Sequence, residues 1–206
     1  MPEKPSQNLR VYNAIKRDLL AGFFQPGERM EGAELSSRHA TSITPVRMAL
    51  SRLAGESLVE PRTNDGFHAP AFSEETISEL YAFNSTVLLE CVSLVSTSQV
   101  QLKNDPRQLG DADLVVATEK LFLQIASGTG NGEFVRCVAA LNDRLHRARS
   151  LEVRLMEDGP SEIDALIQQW LIGNFAGLCK GIAAYHDRRL AGVFELVKLA
   201  HVPRQN

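Results

Sequence analysis

Strand-like stretches are confined to the first 72 of the chain's 206 residues; from Ser73 onward apolar residues recur at helical spacing, with no convincing strand. That distribution rules out a large sheet. It predicts a mainly α protein with one small β element near its N-terminus. The first 72 residues read in the order helix, strand, helix, helix, strand, strand. In "QNLRVYNAIKRDLLAGFF", Leu9, Val11, Tyr12, Ile15, Leu19 and Leu20 fall on one helical face, Gly22 ends the helix and Pro26-Gly27 turns the chain. "ERM" is a short strand candidate, and "GAELSSRHA" a second helix built on Leu35. A third helix is expected to be capped by Thr44, with Pro45 in its first turn. Val46, Ala49, Leu50 and Leu53 form its apolar face, while Arg47, Ser51 and Arg52 fall largely opposite. "SLVEP" and "GFHAPAF" are two strands joined by "RTND" before Gly66. This order is that of a winged helix-turn-helix.

The remainder predicts an all-α bundle. Helices are expected in "SEETISELYAFNSTVLLECVSLVSTSQVQL", "ADLVVATEKLFLQIASGTGNG" and "EFVRCVAALNDRLHRARSLEVRL", with two more after "EDGP". "KNDPRQLGD" is a break. The boundary divides the chain into a domain over residues 1–72 and an all-helical domain over 73–206. "GTGNG" has no preceding strand and no following lysine, so it reads as a loop and not as a phosphate cradle. Trp170 and its neighbours suit a core or a dimer interface, and the arginine-rich face of "DRLHRAR" a solvated or salt-bridged surface.

Charge is uninformative overall at −3, but the halves differ. Residues 1–72 carry 9 Lys and Arg against 8 Asp and Glu, and the rest 13 against 17. Cys91, Cys137 and Cys179 are far apart and odd in number, which opposes a disulfide framework and leaves buried free thiols, with a redox role as the alternative. No apolar run of membrane-spanning length occurs, and the N-terminus lacks an apolar signal core. A cytoplasmic protein without membrane contact is expected.

Recognition of DNA needs small or polar residues at the tip of the reading helix, so that its backbone approaches the duplex. Ser42 and Thr44 are suited to phosphate and Arg47 to a base edge, while Gly66 at a wing tip allows close approach to the minor groove. Gly22, Pro26-Gly27, Glu34-Leu35, Ser42 through Leu50, Leu53 and Gly66-Phe67 together resemble the DNA-binding domain of GntR-family bacterial transcription regulators. The resemblance covers about 60 residues. It implies a DNA interface of Arg38, Ser42, Thr44, Pro45, Arg47, Arg52, Arg62, Asn64 and Gly66. Two positions depart from the family: Ile43 and Ala33 stand where arginines are often found.

The helical remainder resembles the FadR-type C-terminal (FCD) ligand-binding class. Many members hold a divalent metal through an Asp, a His four residues on and two later His about 22 apart. Here Glu119 stands at the Asp position and Leu123 at the first His. His201 fits the last, and Cys179 lies 22 residues before it, with His186 as a substitute. The ligand set is incomplete, so no cofactor is expected, although Glu119 and His201 remain as a degenerate pair. Asn84 replaces an arginine common in the first helix of that class. An effector pocket of Asn84, Glu119, Leu123, Cys179 and His201 is implied, holding a more apolar or aromatic molecule than is usual. The reading is a homodimeric regulator, in its commoner mode a repressor, binding operator DNA under control of a small-molecule effector. No nucleophile–base–acid set points to an enzyme. The alternative is a helical domain that only dimerises or senses redox state.

Overall fold

A computed structural model describes residues 6–97 and 113–202. They form two compact units: a first ending at Phe72, to which the residues from Ala200 also belong, and a second over Ser73–Leu199.

The first unit contains α1 (Gln7–Leu20), α2 (Gly32–Arg38), α3 (Ile43–Gly55), β1 (Glu60–Arg62) and β2 (Gly66–His68). Ser6 caps α1 by accepting from Leu9 N–H at 3.3 Å. Val11, Tyr12 and Ile15 of α1, Leu35 of α2, and Val46, Ala49, Leu50 and Leu53 of α3 close one core with Phe24, Met30, Leu58, Val59 and Ala69. The apolar stripes read from the sequence are the buried ones, except in α1, where Leu9 is exposed and Leu19 and Leu20 are half-buried. The start of α3 corrects the sequence expectation. The helix begins at Ile43 with Ser42 as its N-cap, and Thr44 lies inside the first turn. Pro45 still falls where no intrahelical N–H is needed. β1 and β2 pair antiparallel with Glu60 opposite His68, Pro61 opposite Phe67 and Arg62 opposite Gly66. Each strand is shorter than its sequence suggested. The expected "ERM" strand is reduced to a single bridge between Arg29 and His68. Asn64 and Gly66 both take positive φ, which reverses the chain over three residues.

The second unit contains α4 (Glu74–Ser96), α5 (Leu114–Gly128), α6 (Gly132–Glu152), α7 (Gly159–Leu171) and α8 (Phe175–Ala200). Ser73, Asp113 and Asn131 cap α4, α5 and α6 with their side-chain oxygens. The expected continuation of the α4 helix through residue 102 and the whole break after it lie outside the described residues. The core is apolar, led by Leu88, Leu121, Phe122, Ile125, Leu145, Ile163 and Ile167. Trp170 belongs to it: 3% of its surface is exposed, and its Nε1–H donates to Gln124 Oε1 at 3.2 Å.

Candidate functional site

The exposed face of α3 is made by Ile43, Thr44, Arg47, Met48, Ser51 and Arg52, because the other positions turn into the core. Arg47 makes no hydrogen bond or ion pair among the described residues, so its guanidinium is available to a ligand. The other predicted arginines are engaged. Arg52 donates from Nε to Glu56 Oε1 at 3.1 Å and lies 3.9 Å over the Tyr12 ring. Arg38 donates to Asp18 Oδ2 at 2.8 Å and lies 3.7 Å over Phe23. Arg62 sits 3.6 Å from Glu60 at the wing. Ser42, Thr44, Asn64 and Gly66 are exposed, whereas Pro45 is buried under the helix start.

The wing is anchored by a residue that the sequence reading passed over. His68 is buried at the end of β2, with Nδ1 3.1 Å from the Gly27 carbonyl and Nε2 3.0 Å from Asp65 Oδ2. It ties the hairpin to the Pro26-Gly27 turn. A lone histidine in "GFHAPAF" carries no sequence signal for that role, since Asp65 is a neighbour in the turn but Gly27, 41 residues away, is brought to it only by folding.

Of the predicted pocket residues, Asn84 and Glu119 both reach the Arg149 guanidinium, at 3.4 and 3.6 Å. Cys179 lies near the start of α8, whereas His201 stands just past its end, among the residues that belong to the first unit. α8 is continuous through "YHDRR". Leu123 is half-buried on α5. Glu119 accepts from His146 Nδ1 at 2.9 Å and lies 3.6 Å from Arg149. Among the described residues no group of three or more His, Cys, Asp or Glu stands close enough to hold a metal ion.

Asn84 is fully buried in a polar cluster that the sequence did not indicate. Its Oδ1 lies 3.0 Å from His186 Nε2 and 3.4 Å from Arg149 Nη2. The His186 ring faces the Ile182 carbonyl through Nδ1 at 2.8 Å. Burial lowers the pKa of His186 to about 4 against the pull of that carbonyl, with Arg149 and Arg189 adding to the fall, so the ring is neutral at physiological pH. Arg149 is buried rather than solvated, donating to Asn142 Oδ1 at 2.9 Å. Its Nε has no hydrogen-bond partner. Beside it, Arg189 donates from Nε to Glu152 Oε2 at 2.9 Å and pairs with Glu162 at 2.8 Å, while Tyr81 O–H donates to Glu152.

These groups border a cavity of about 280 Å³, including the solvent at its mouth. Arg149, Glu152, Arg189, Tyr185 and Thr118 line it with Leu114, Val115, Val153, Met156, Gly159 and Ile163. Asn84, Glu119, Leu123, Cys179 and His201 do not. Most of that space is open solvent; the enclosed part is about 10 Å³, room for about one water molecule and far below the roughly 300 to 1,000 Å³ of small-molecule sites. The cysteines are free thiols; burial drives Cys91 up to about 11 and raises Cys137 as well, which keeps both protonated.

Residues 7–68 match the family model described as bacterial regulatory proteins, gntR family. The Nta operon transcriptional regulator of Aminobacter aminovorans is 25% identical over 140 residues, covering 63% of this chain and 67% of that protein. The HTH-type transcriptional repressor GlaR of Escherichia coli is 32% identical over 87 residues, covering 42% of this chain but only 40% of the repressor. Among solved structures, E. coli McbR/YncC superposes with a TM-score of 0.69 at 20% identity, covering 93% of this chain and 98% of that one. A GntR transcriptional regulator from Rhodococcus sp. RHA1 gives 0.68 at 18% identity, covering 93% and 99%. At these identities the superpositions speak for the fold: a winged helix-turn-helix followed by a helical domain.

Proposed function

Since residues 7–68 of this chain are a GntR-family DNA-binding domain, we propose that the protein is a transcription regulator that binds operator DNA as a homodimer and takes a small-molecule effector in its helical unit. The observation that carries the DNA reading is Arg47, exposed and unpartnered on α3 beside Thr44 and Ser51, with a wing in the same unit. Arginine to guanine in the major groove is the commonest specific contact, and each good bidentate pair discriminates by about 1–3 kcal/mol. Two-fold symmetry in the protein calls for a near-palindromic operator. Phe83, Leu94, Ile172 and Phe194 are large apolar side chains exposed on the helical unit, which suits a surface covered by a second copy. The repressor mode is supported by the name of one relative, GlaR. A cytoplasmic location follows from the DNA partner. No helix among the described residues is long and apolar enough to cross a membrane.

The effector reading rests on the cavity at Arg149 and Arg189. Two buried guanidiniums among apolar walls suit a small apolar molecule bearing one carboxylate, which enters only when the lining side chains move apart and then competes with Glu152 for the donors of Arg189. The aromatic or apolar body expected from the sequence is kept and an anionic handle is added. Thiol-based sensing is disfavoured at Cys91 and Cys137, which burial keeps protonated, and falls to the half-buried Cys179. A thermal-shift screen of small carboxylic acids tests the effector, since a ligand of the folded state raises the melting temperature. A hit must also change the affinity for DNA; coupling typically amounts to about 1–3 kcal/mol. A screen with no stabilising acid, or a stabiliser without effect on DNA, removes the effector from the proposal. Selection from a random duplex pool tests the DNA reading, and failure to enrich any sequence sinks it.

A further inference from the structure

Ile43 opens α3 at the very tip of the exposed helix face, with 43% of its surface in water. Its position is defined by the helix behind it: a Cβ built on Gly32 would sit 3.5 Å from Ile43 Cδ1, so the isoleucine lies over bare backbone at the start of α2. Arg47 follows four residues on and therefore shares its face. Met48, 53% exposed, lies at the far edge, where Asn8 Nδ2 stands 3.7 Å from its sulfur. The unpartnered guanidinium is thus flanked by two apolar side chains that the core does not use.

Resting on the DNA-binding reading above, we infer that Ile43 is a specificity residue that reads a thymine methyl group in the operator half-site, beside the base pair contacted by Arg47. Isoleucine has no hydrogen-bonding atom beyond its backbone. It cannot bind a phosphate or read a guanine, and placed against the polar edges of a G·C pair it would leave them without water or partner. The apolar feature of the major groove is the C5 methyl of thymine, and contact with it is the only direct readout that an aliphatic side chain performs there. The rise from Ile43 to Arg47 is about 6 Å, so their base pairs are no more than about two steps of 3.4 Å apart. The half-site then contains a guanine with a thymine within two positions of it.

The test uses the full chain. Selection from a random duplex pool yields the preferred site. Each thymine in turn is then replaced by deoxyuracil, which removes only the methyl and leaves base pairing intact. Fluorescence anisotropy gives the dissociation constant of every duplex. The expected result is one position per half-site, within two pairs of an essential guanine, at which the replacement weakens binding about three- to fivefold, the value of one buried methyl. In Ile43→Ala that penalty vanishes, and in Ile43→Val it is retained. Both variants are exposed-site changes, and their melting curves are compared with the unaltered chain. The inference is overturned by binding indifferent to deoxyuracil at every thymine, a result that needs no variant. It is equally overturned by a penalty that persists unchanged in Ile43→Ala. Failure to bind any duplex overturns it together with the DNA-binding reading.

Discussion

The Arg189 guanidinium donates to Glu152 at 2.9 Å while lying 3.3 Å over the Tyr185 ring, and both charged side chains are withdrawn from water. The ion pair joins α8 to the last residue of α6. Tyr81 of α4 donates to the same carboxylate, and Glu162 of α7 reaches the same guanidinium. One buried pair therefore links four helices of the unit.

Above about pH 7, where the buried Glu152 is ionised, removing Arg189 leaves its charge unsatisfied, at a cost of about 3–5 kcal/mol. Arg189→Met is expected to lower the melting temperature by roughly 10 °C. Arg188, about one-third exposed and paired with Asp158 at 2.7 Å, provides the comparison. Arg188→Ala should shift the melting temperature far less, as partly exposed pairs contribute little. Equal shifts in the two variants would contradict the assignment.

Glu152 and His186 give the helical unit opposed pH responses. Burial raises the Glu152 carboxyl to about 7, with Arg189 pulling the other way. The folded state then holds a proton that the unfolded state has lost, so this contribution is fully present below about 4.5 and disappears as pH rises through 7. His186 is depressed to about 4, so its contribution is present above its ordinary value of 6.5 and is lost as pH falls towards 4. The two slopes offset each other between 4.5 and 6.5, and Glu152 acts alone from 6.5 to about 7. Glu152→Gln keeps the protonated shape and should flatten the decline in melting temperature between pH 6.5 and about 7. A decline of unchanged steepness in that variant would show that Glu152 is already ionised. NMR titration of the His186 ring should find no protonation above about pH 5.

Arg47 and Arg52 are separable by experiment although both lie on the exposed face of α3. Arg47→Ala is expected to weaken specific DNA binding by about 10- to 100-fold, from about 1–3 kcal/mol, with an unchanged melting temperature. Arg52→Ala loses its hydrogen bond to Glu56 and its stacking on Tyr12, and should lower stability by about 1 kcal/mol. Anisotropy and calorimetry on both variants check the contrast. A stability loss in Arg47→Ala would mean that the side chain has a folding role.

The wing depends on Gly66, whose φ of +78° is unfavourable to a residue with a Cβ. Gly66→Ala should cost about 1 kcal/mol, with no neighbouring atom nearer than Arg29 Nε at 3.9 Å to clash. Backbone strain rather than collision is therefore the cause. The winged unit should respond in amide exchange at β1 and β2; protection unchanged at both strands would argue against it.

What the amino-acid order determined by itself is local. The three- and four-residue recurrence of Val46, Ala49, Leu50 and Leu53 makes a helix with one buried face wherever a core is available. The Asn64–Gly66 turn makes a hairpin from neighbouring residues, and Arg47 stands on the face that the apolar positions leave free. Even there, the precise start of α3 escaped, since Ser42 and Thr44 are both capping residue types two positions apart. Everything that required a distant partner was decided by tertiary structure. Arg52 meets Tyr12 from 40 residues away, His186 meets Asn84 across 102, and Arg189 meets Glu152 across 37. The physical reason is the range of the forces involved. A helix closes its hydrogen bonds four residues away and carries its pattern along the chain, whereas a buried charge takes whichever opposite group the packed helices bring within about 3 Å.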